Sequence, residues 1–244
     1  MLDRDRFALV KSSLDNPHLR YNIGTYKERS QHLLLKLYYE PDMKYHEVPY
    51  EGYIADILNN QGITEIQTAG FRTLHAKLAA FLSEYPVTVV YPVSEKKRSM
   101  WIDPESGDTA EGKYMTFPKA RYRLFSELLA ISEFINNPGL TLHIAIMKVS
   151  QFKACDGYGK DKKRRATKID TVPDDIIDII QIKGIDDLKE LFPFEKGERI
   201  TNKDISKKLG LVRMSLWRAV KFLTNTDIIA PSDKIGKSII YEVK

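Results

Sequence analysis

The sequence predicts an α/β protein made of one large domain and a second, smaller domain. Residues 27–93 show helix and strand patterns in the order α-β-β-β-α-β. Residues 202–224 show two short helical patterns separated by a glycine. The chain has 244 residues, whereas one domain averages about 150, so two unequal domains are expected.

The composition excludes several classes of protein. Hydrophobic residues make up 43% of the chain and charged residues 29%, which is typical of a folded globular protein and not of a disordered one. No apolar run approaches the roughly 18 residues that cross a membrane, and the charged N-terminus does not resemble a signal peptide. A single cysteine, Cys155, excludes an internal disulfide framework. These features predict a cytoplasmic protein with no membrane partner.

The first part of the chain divides into short elements separated by turn residues. Apolar residues at helical spacing predict helices over residues 27–39 and 71–84. Runs bounded by proline, glycine and asparagine predict strands over residues 45–48, 52–58, 63–67 and 87–90. The three strands between the two helices are expected to form an antiparallel meander.

The middle of the chain predicts a long hairpin or a surface insertion at residues 95–118, a helix over 121–136 and a strand over 140–149. A basic segment with little apolar content follows, and it is typical of a linker. From Asp174 onward, isoleucines at helical spacing predict two linked helices. The predicted division is therefore a domain at 1–155, a linker at 156–173 and a domain at 174–244.

The net charge of +5 lies entirely at the end of the chain. Residues 201–244 hold 9 Lys and Arg against 4 Asp and Glu, whereas the preceding 200 residues are balanced. A local excess of positive charge is typical of a module that binds a polyanion, although it also occurs on solvated surfaces.

The pattern in this basic region is that of a helix-turn-helix followed by a hairpin. Helices are predicted over residues 202–209 and 212–224, with Gly210 at the turn and Thr201 or Asn202 as a helix cap. A strand over 238–243 completes the hairpin. This region resembles a winged helix-turn-helix domain.

The winged-helix resemblance implies that the second helix enters the major groove of double-stranded DNA while the wing follows the backbone. The helix positions that would contact DNA are Arg213, Ser215, Trp217, Arg218 and Lys221. The wing positions are Lys234 and Lys237. Two alternatives remain open, because winged helices also dock proteins and Trp217 could pack in the core against the wing.

Polar residues interrupt two of the predicted strands in the first domain. Asp56 lies within an apolar strand, and Glu65 and Gln67 lie on one face of the next strand. Burying a charge is costly unless it is paired or binds a metal ion. The turn at 59–62 brings the two strands together, so two carboxylates and an amide are expected to converge.

With this element order, residues 20–93 resemble the core of the PD-(D/E)XK, or restriction-endonuclease-like, superfamily. The resemblance implies catalytic roles for Asp56 on the second strand, Glu65 on the third and Glu28 on the first helix. Gln67 departs from the lysine that the family usually has at this position, although some branches of the family carry glutamine there or supply the lysine from a nearby helix. Lys77 on the second helix could supply the missing amine, and Lys36 is a weaker candidate.

A site of this kind hydrolyses phosphodiester bonds with a hard divalent cation. Mg²⁺ or Mn²⁺ prefers oxygen ligands, which Asp56, Glu65 and the backbone carbonyl of Ile66 could supply. The alternative is a structural ion pair of the two carboxylates, for instance with Arg72.

The preferred hypothesis is a Mg²⁺-dependent deoxyribonuclease that a winged helix targets to duplex DNA, in restriction, defence or repair. Cutting both strands usually takes two active sites, so a homodimer is compatible with it. One alternative is a non-catalytic DNA-binding regulator, for which Gln67 would mark lost activity. A protein-docking adaptor is a third hypothesis.

Overall fold

The computed structural model describes residues 2–14, 30–158, 165–236 and 238–244. Of the residues named above, Glu28 and Lys237 lie outside these ranges. No helix in the described ranges has both the length and the apolar character needed to span a membrane.

The described residues form helices and strands in an alternating order, with short 3₁₀ turns between some of them. The helices are α1 (Arg4–Leu14), α2 (Ser30–Tyr39), α3 (Leu74–Phe81), α4 (Leu124–Glu127), α5 (Ile185–Leu191), α6 (Asn202–Leu209) and α7 (Arg213–Asn225). The strands are β1 (His46–Tyr50), β2 (Tyr53–Asn59), β3 (Gly62–Ile66), β4 (Val87–Ile102), β5 (Thr109–Glu111), β6 (Met115–Thr116), β7 (Leu140–Ala154), β8 (Thr167–Ile182), β9 (Arg199–Thr201), β10 (Ile229–Ile235) and β11 (Ser238–Val243).

The strands form a large mixed sheet and a small second sheet. The large sheet has eight strands in the order β1-β2-β3-β4-β7-β8, with β5 and β6 paired to β4. Strands β2 and β3 are antiparallel, whereas β3 and β4 are parallel. The small sheet has the order β10-β11-β9. The predicted order α-β-β-β-α-β matches the order from α2 to β4.

The parallel pair β3–β4 needs a crossover connection, and α3 supplies it. One face of this connection is fully buried at Phe71, Leu74, Leu78 and Phe81, the helical stripe visible in the sequence. At the start of β3, Gly62 has φ +113°, and a Cβ there would lie 2.3 Å from the Pro86 carbonyl oxygen. Only glycine therefore allows the two strands to begin side by side.

The chain divides into two compact units, each made of three segments. The first unit comprises Met1–His46, Pro92–Phe117 and Ala145–Ile179. The second unit comprises Glu47–Tyr91, Pro118–Ile144 and Ile180–Lys244. Three of the five boundaries between these segments lie within the long strands β4, β7 and β8.

The helix predicted from Asp174 is wrong, because residues 167–182 form strand β8. The isoleucines there fit a helical spacing, but β-branched side chains favour a strand and short apolar runs do not separate the two. The domain boundary predicted at residue 174 falls inside this strand. The second of the two predicted helices is present as α5.

One other element differs from the sequence prediction, and one open alternative is resolved. The helix predicted over 121–136 contains only one α-helical turn, α4, between two 3₁₀ segments, and Ile131 has non-helical backbone angles. Of the two alternatives predicted for residues 95–118, the hairpin is present, because β4 continues to Ile102 and both β5 and β6 pair with it antiparallel. Residues 95–99 are all polar, so the continuation of β4 does not show as a strand pattern in the sequence.

The predicted helix-turn-helix is present as α6 and α7. Thr201 caps α6 through a capping box, in which its hydroxyl accepts from the Asp204 N–H and the Asp204 carboxylate accepts from the Thr201 N–H. Gly210 ends α6 in the left-handed region, with φ +70°. Strands β10 and β11 form the hairpin that follows.

An aromatic cluster joins the winged helix to α4 within the second unit. Phe125 is fully buried, and its ring centroid lies 5.7 Å from that of Phe192 and 6.5 Å from that of Phe222 on α7. Aromatic pairs at such distances stabilise a core beyond their buried area. Helix α7 is thus packed on its inner side against the rest of the unit.

We expect Gly210→Ala to destabilise the protein by about 1–2 kcal/mol, because an alanine is strained in the left-handed region. Its Cβ would also lie 3.3 Å from the Lys119 side chain. Gly184→Ala is the matched control, since Gly184 is extended and a Cβ added there would have no neighbouring atom within 4 Å. Equal urea-unfolding free energies for the two variants would contradict this explanation of the turn.

Candidate functional site

Two carboxylates converge where β2 and β3 begin to separate. The strands pair Ile57 with Thr64, so the next residue pair along the register is Asp56 and Glu65. The Asp56 N–H donates to Glu65 Oε1 at 3.2 Å, and the Ile66 N–H donates to Asp56 Oδ2 at 2.7 Å. The predicted convergence of Asp56 and Glu65 is therefore present.

Lys77 reaches the same place from α3. Its Nζ donates to Glu65 Oε1 at 3.1 Å, to Glu65 Oε2 at 2.8 Å and to the Ile54 carbonyl at 2.7 Å. The Glu65 side chain is fully buried, whereas that of Lys77 is 24% exposed. The sequence indicated Lys77 by its position on the helix. It held no signal for Ile54, because the contact uses a backbone carbonyl.

Burial raises the pKa of Glu65 to about 7, and the neighbouring Asp56 carboxylate contributes to the rise. The Lys77 ammonium and the Asp56 N–H oppose this shift, but they do not cancel it. The Glu65 carboxyl group therefore exchanges a proton near neutral pH. A perturbed pKa in a paired carboxylate site is a feature of many functional sites, and a cation would stabilise the ionised pair.

Gln67 follows β3 and is half-buried. Its backbone N–H donates to the Val90 carbonyl at 2.8 Å, and strand alternation places its side chain on the face of Glu65. The alternative of an ion pair with Arg72 is not formed among the described residues, because Glu65 pairs with Lys77 and Arg72 is exposed. Lys36 is buried in the first unit.

The donors at this site are hard oxygens, as Mg²⁺ or Mn²⁺ requires. In the described ranges, no three His, Cys, Asp or Glu side chains gather in a way that could hold a metal ion. Mg²⁺ is often bound by only one or two carboxylates together with water and substrate phosphates. Asp56 and Glu65, with the backbone carbonyl of Ile66, fit that pattern.

The second helix of the helix-turn-helix, α7, presents a mixed basic and apolar surface. Arg213, Trp217, Arg218 and Lys221 are exposed, as the winged-helix resemblance implies. Trp217 is 54% exposed and Lys221 Nζ lies 5.1 Å from its ring centroid. The alternative that Trp217 packs in the core is therefore wrong.

Ser215 is not an exposed position of this surface. It is half-buried, and its hydroxyl donates to the Val212 carbonyl at 2.7 Å and accepts from the Val212 N–H at 3.2 Å. The hydroxyl thus satisfies backbone groups at the start of α7. Met214 was not predicted to belong to the surface, yet it is exposed beside Arg218 and Lys221. Its spacing from the buried helix positions is the signal that could have identified it.

The wing region carries both positively and negatively charged side chains. Lys234 is exposed, and Arg199 on β9 pairs with Asp233 on β10 at 2.8 Å, with β11 between these two strands. Lys237, the other predicted wing contact, lies outside the described residues.

We expect Glu65→Gln to become more stable relative to the wild type as pH rises from about 4.5 to about 7. A carboxyl group with a raised folded-state pKa contributes less stability as it ionises, and glutamine does not ionise. Urea unfolding of the metal-free protein across this range measures the effect. Glu105→Gln, at an exposed turn, serves as the control. A pH-independent difference between Glu65→Gln and the wild type would contradict the raised pKa.

Comparisons with known proteins separate the two parts of the chain. The family described as winged helix-turn-helix DNA-binding matches residues 195–230. An uncharacterized protein from Treponema pallidum (strain Nichols) is 26% identical over 222 residues, which cover 90% of this chain and 86% of that protein. No solved structure matches the chain.

The winged-helix match agrees with the geometry of α6, α7 and the β10–β11 hairpin. The C-terminal part is therefore a winged helix-turn-helix DNA-binding domain. A second family, described as "Domain of unknown function (DUF8091)", matches residues 29–183, which include the paired carboxylates and most of the large sheet. Because this match covers more than half of the chain, the protein belongs to the DUF8091 family.

Proposed function

We propose that this protein is a metal-dependent DNA endonuclease of the PD-(D/E)XK type. The observation that supports the proposal most is the convergence of Asp56, Glu65 and Lys77. Each of these side chains comes from an element that the resemblance implies, namely the second strand, the third strand and the following helix. A structural ion pair alone would not need a second carboxylate beside a buried one.

Asp56, Glu65 and the Ile66 carbonyl would hold Mg²⁺ or Mn²⁺ at the end of the β2–β3 pair. When bound, the ion would polarise the phosphoryl oxygen, acidify a water molecule and stabilise the leaving oxygen. The bound cation would also keep Glu65 ionised, since opposite charge lowers a carboxyl pKa.

In this proposal Lys77 takes the role that the third-strand lysine has in the PD-(D/E)XK superfamily. Its Nζ already holds both Glu65 oxygens, and rotation of its flexible, partly exposed chain would let the ammonium donate to a water molecule or a phosphate oxygen. Gln67 can hydrogen-bond and orient the water, but its amide carries no charge. The charge at the site therefore comes from Lys77.

The winged helix would deliver this site to double-stranded DNA. Arg213, Arg218 and Lys221 lie together on the exposed side of α7, where they can reach base edges and phosphates. A homodimer would provide the two active sites that cutting both strands requires. Restriction, defence and repair would all use such a protein.

A second candidate function is a non-catalytic DNA-binding regulator. It is favoured by Gln67 and by Lys77, whose Nζ makes three bonds to protein acceptors and so already compensates the Glu65 charge. In such a protein the carboxylate pair would be structural, and only the winged helix would act.

We expect the wild type to cut plasmid DNA with Mn²⁺ or Mg²⁺ but not with EDTA. Asp56→Asn should reduce cleavage by at least about 10–100-fold, because it weakens the cation site. Lys77→Met should also reduce cleavage, while Mn²⁺ binding measured by calorimetry is retained.

Asp108→Asn is the matched control for cleavage, since Asp108 lies in an exposed turn. DNA binding without metal-dependent cleavage in the wild type, together with unchanged Mn²⁺ binding in Asp56→Asn, would support the regulator and contradict the nuclease.

We expect Arg218→Ala to weaken binding to duplex DNA by about 1–3 kcal/mol, because Arg218 is exposed on the DNA-facing side of α7. Fluorescence anisotropy in EDTA measures this effect without cleavage. Lys196→Ala, which removes an exposed charge outside α7, is the control. Equal affinities for the two variants would contradict the assignment of α7 as the recognition helix.

A further inference from the structure

A polar cluster lies on one face of the large sheet within the first unit, remote in sequence from the carboxylate pair. It consists of Arg98 on β4, Lys148 and Ser150 on β7, Asp174 on β8 and Tyr114 before β6. Lys148 and Ser150 are two residues apart on one strand and therefore share a face. The proposed nuclease site uses none of these residues.

The carboxylate of this cluster is bonded by hydroxyl groups. Tyr114 Oη donates to Asp174 Oδ2 at 2.9 Å, and Ser150 Oγ donates to the same oxygen at 2.8 Å. Ser150 is 2% exposed and also accepts from Arg98 Nε at 2.8 Å. These bonds hold the Tyr114 ring and the Arg98 guanidinium in fixed positions.

Two cations lie against the Tyr114 ring. The Arg98 guanidinium carbon is 4.7 Å from the ring centroid, and Lys148 Nζ is 4.2 Å from it. Among the described residues, Lys148 forms no ion pair. Within the same ranges Arg98 pairs only with Glu111, whose side chain is 56% exposed. Two positive charges at one ring repel each other, and an anion bound to both would remove that repulsion.

One neighbouring residue extends the positive surface along β4. Strand alternation places the exposed Lys96 on the face of Arg98, whereas Lys97 lies on the opposite face, with its Nζ 4.4 Å from the Phe117 ring centroid. A planar guanidinium beside an ammonium is suited to phosphate oxygens. A row of such cations is suited to a chain of phosphates. The DNA-binding winged helix of the same protein makes such a chain an available ligand.

We propose that Arg98 and Lys148 form a second phosphate-binding site, which holds a nucleic-acid backbone independently of the winged helix. Tyr114 forms its floor, and Ser150 fixes the orientation of Arg98. Glu111 competes with the ligand for Arg98 from the exposed rim of the site. The site does not depend on the nuclease proposal, because it lies on other strands and needs no metal ion.

The test uses the full chain with Arg213→Ala and Arg218→Ala, which weaken the winged helix, and measures residual DNA binding in EDTA by anisotropy. Lys148→Ala in this background should weaken binding roughly eightfold at about 0.1 M salt, the effect of losing one phosphate contact. Lys148→Arg should restore binding. Glu111→Gln should strengthen it, because the competing carboxylate is removed.

Lys153→Ala is the matched control, because strand alternation places Lys153 on the opposite face of β7. Thermal shifts with inorganic phosphate, at ionic strength matched with chloride, form the second arm. Loss of the phosphate shift in Lys148→Ala with unchanged DNA binding would assign the site to free phosphate and overturn the backbone proposal. Equal results for Lys148→Ala and Lys153→Ala with both probes would overturn the site itself.

Discussion

The fully buried carboxylate of Glu65 is the constraint on which the candidate site depends. A charge in the middle of a sheet is costly, so the surrounding elements must supply partners for it. Strand β2 supplies the Asp56 N–H, and α3 supplies the Lys77 ammonium. Helix α3 connects the parallel strands β3 and β4, and it also carries Lys77. The same helix therefore determines the sheet topology and supplies the cation of the site. Burial raises the pKa of Glu65, Asp56 adds to the rise, and Lys77 opposes it without cancelling it.

The second unit contains both the carboxylate pair and the winged helix. The buried ring of Phe125 packs against Phe192 and Phe222, so α7 is fixed on its inner side while its outer side stays exposed. That division explains why the helix shows apolar and basic residues at helical spacing at the same time. Trp217 belongs to the exposed side, where Lys221 lies over its ring. The surface that we propose for DNA binding is therefore presented by a packed helix.

Net charge summed along the chain does not show where basic side chains gather in this protein. The C-terminal 44 residues hold the whole excess of positive charge, and they form most of the winged helix. Residues 1–200 are balanced in sum, yet within them Arg98 and Lys148 lie together at the Tyr114 ring, while Tyr114 and Ser150 bond the nearby Asp174 carboxylate. Such a separation of charge arises when strands β4, β7 and β8 meet, and it is invisible in a sum along the chain.

Local sequence was sufficient to predict the order α-β-β-β-α-β, the helix-turn-helix and the pairing of Asp56 with Glu65. Each of these depends on short-range periodicity or on a tight turn, which nearby residues specify. The strand at residues 167–182 required the folded structure, because a short isoleucine-rich run is compatible with both a helix and a sheet until its neighbours are known. The folded structure was also required for the hydrogen bonds from Lys77 to Ile54 and Glu65, and for the hydrogen bond from the Ser215 hydroxyl to the Val212 carbonyl. The Lys77–Glu65 contact depends on the directions of two side chains, which the fold sets. The contacts to Ile54 and Val212 use backbone groups, which every residue has, so no residue type signals them.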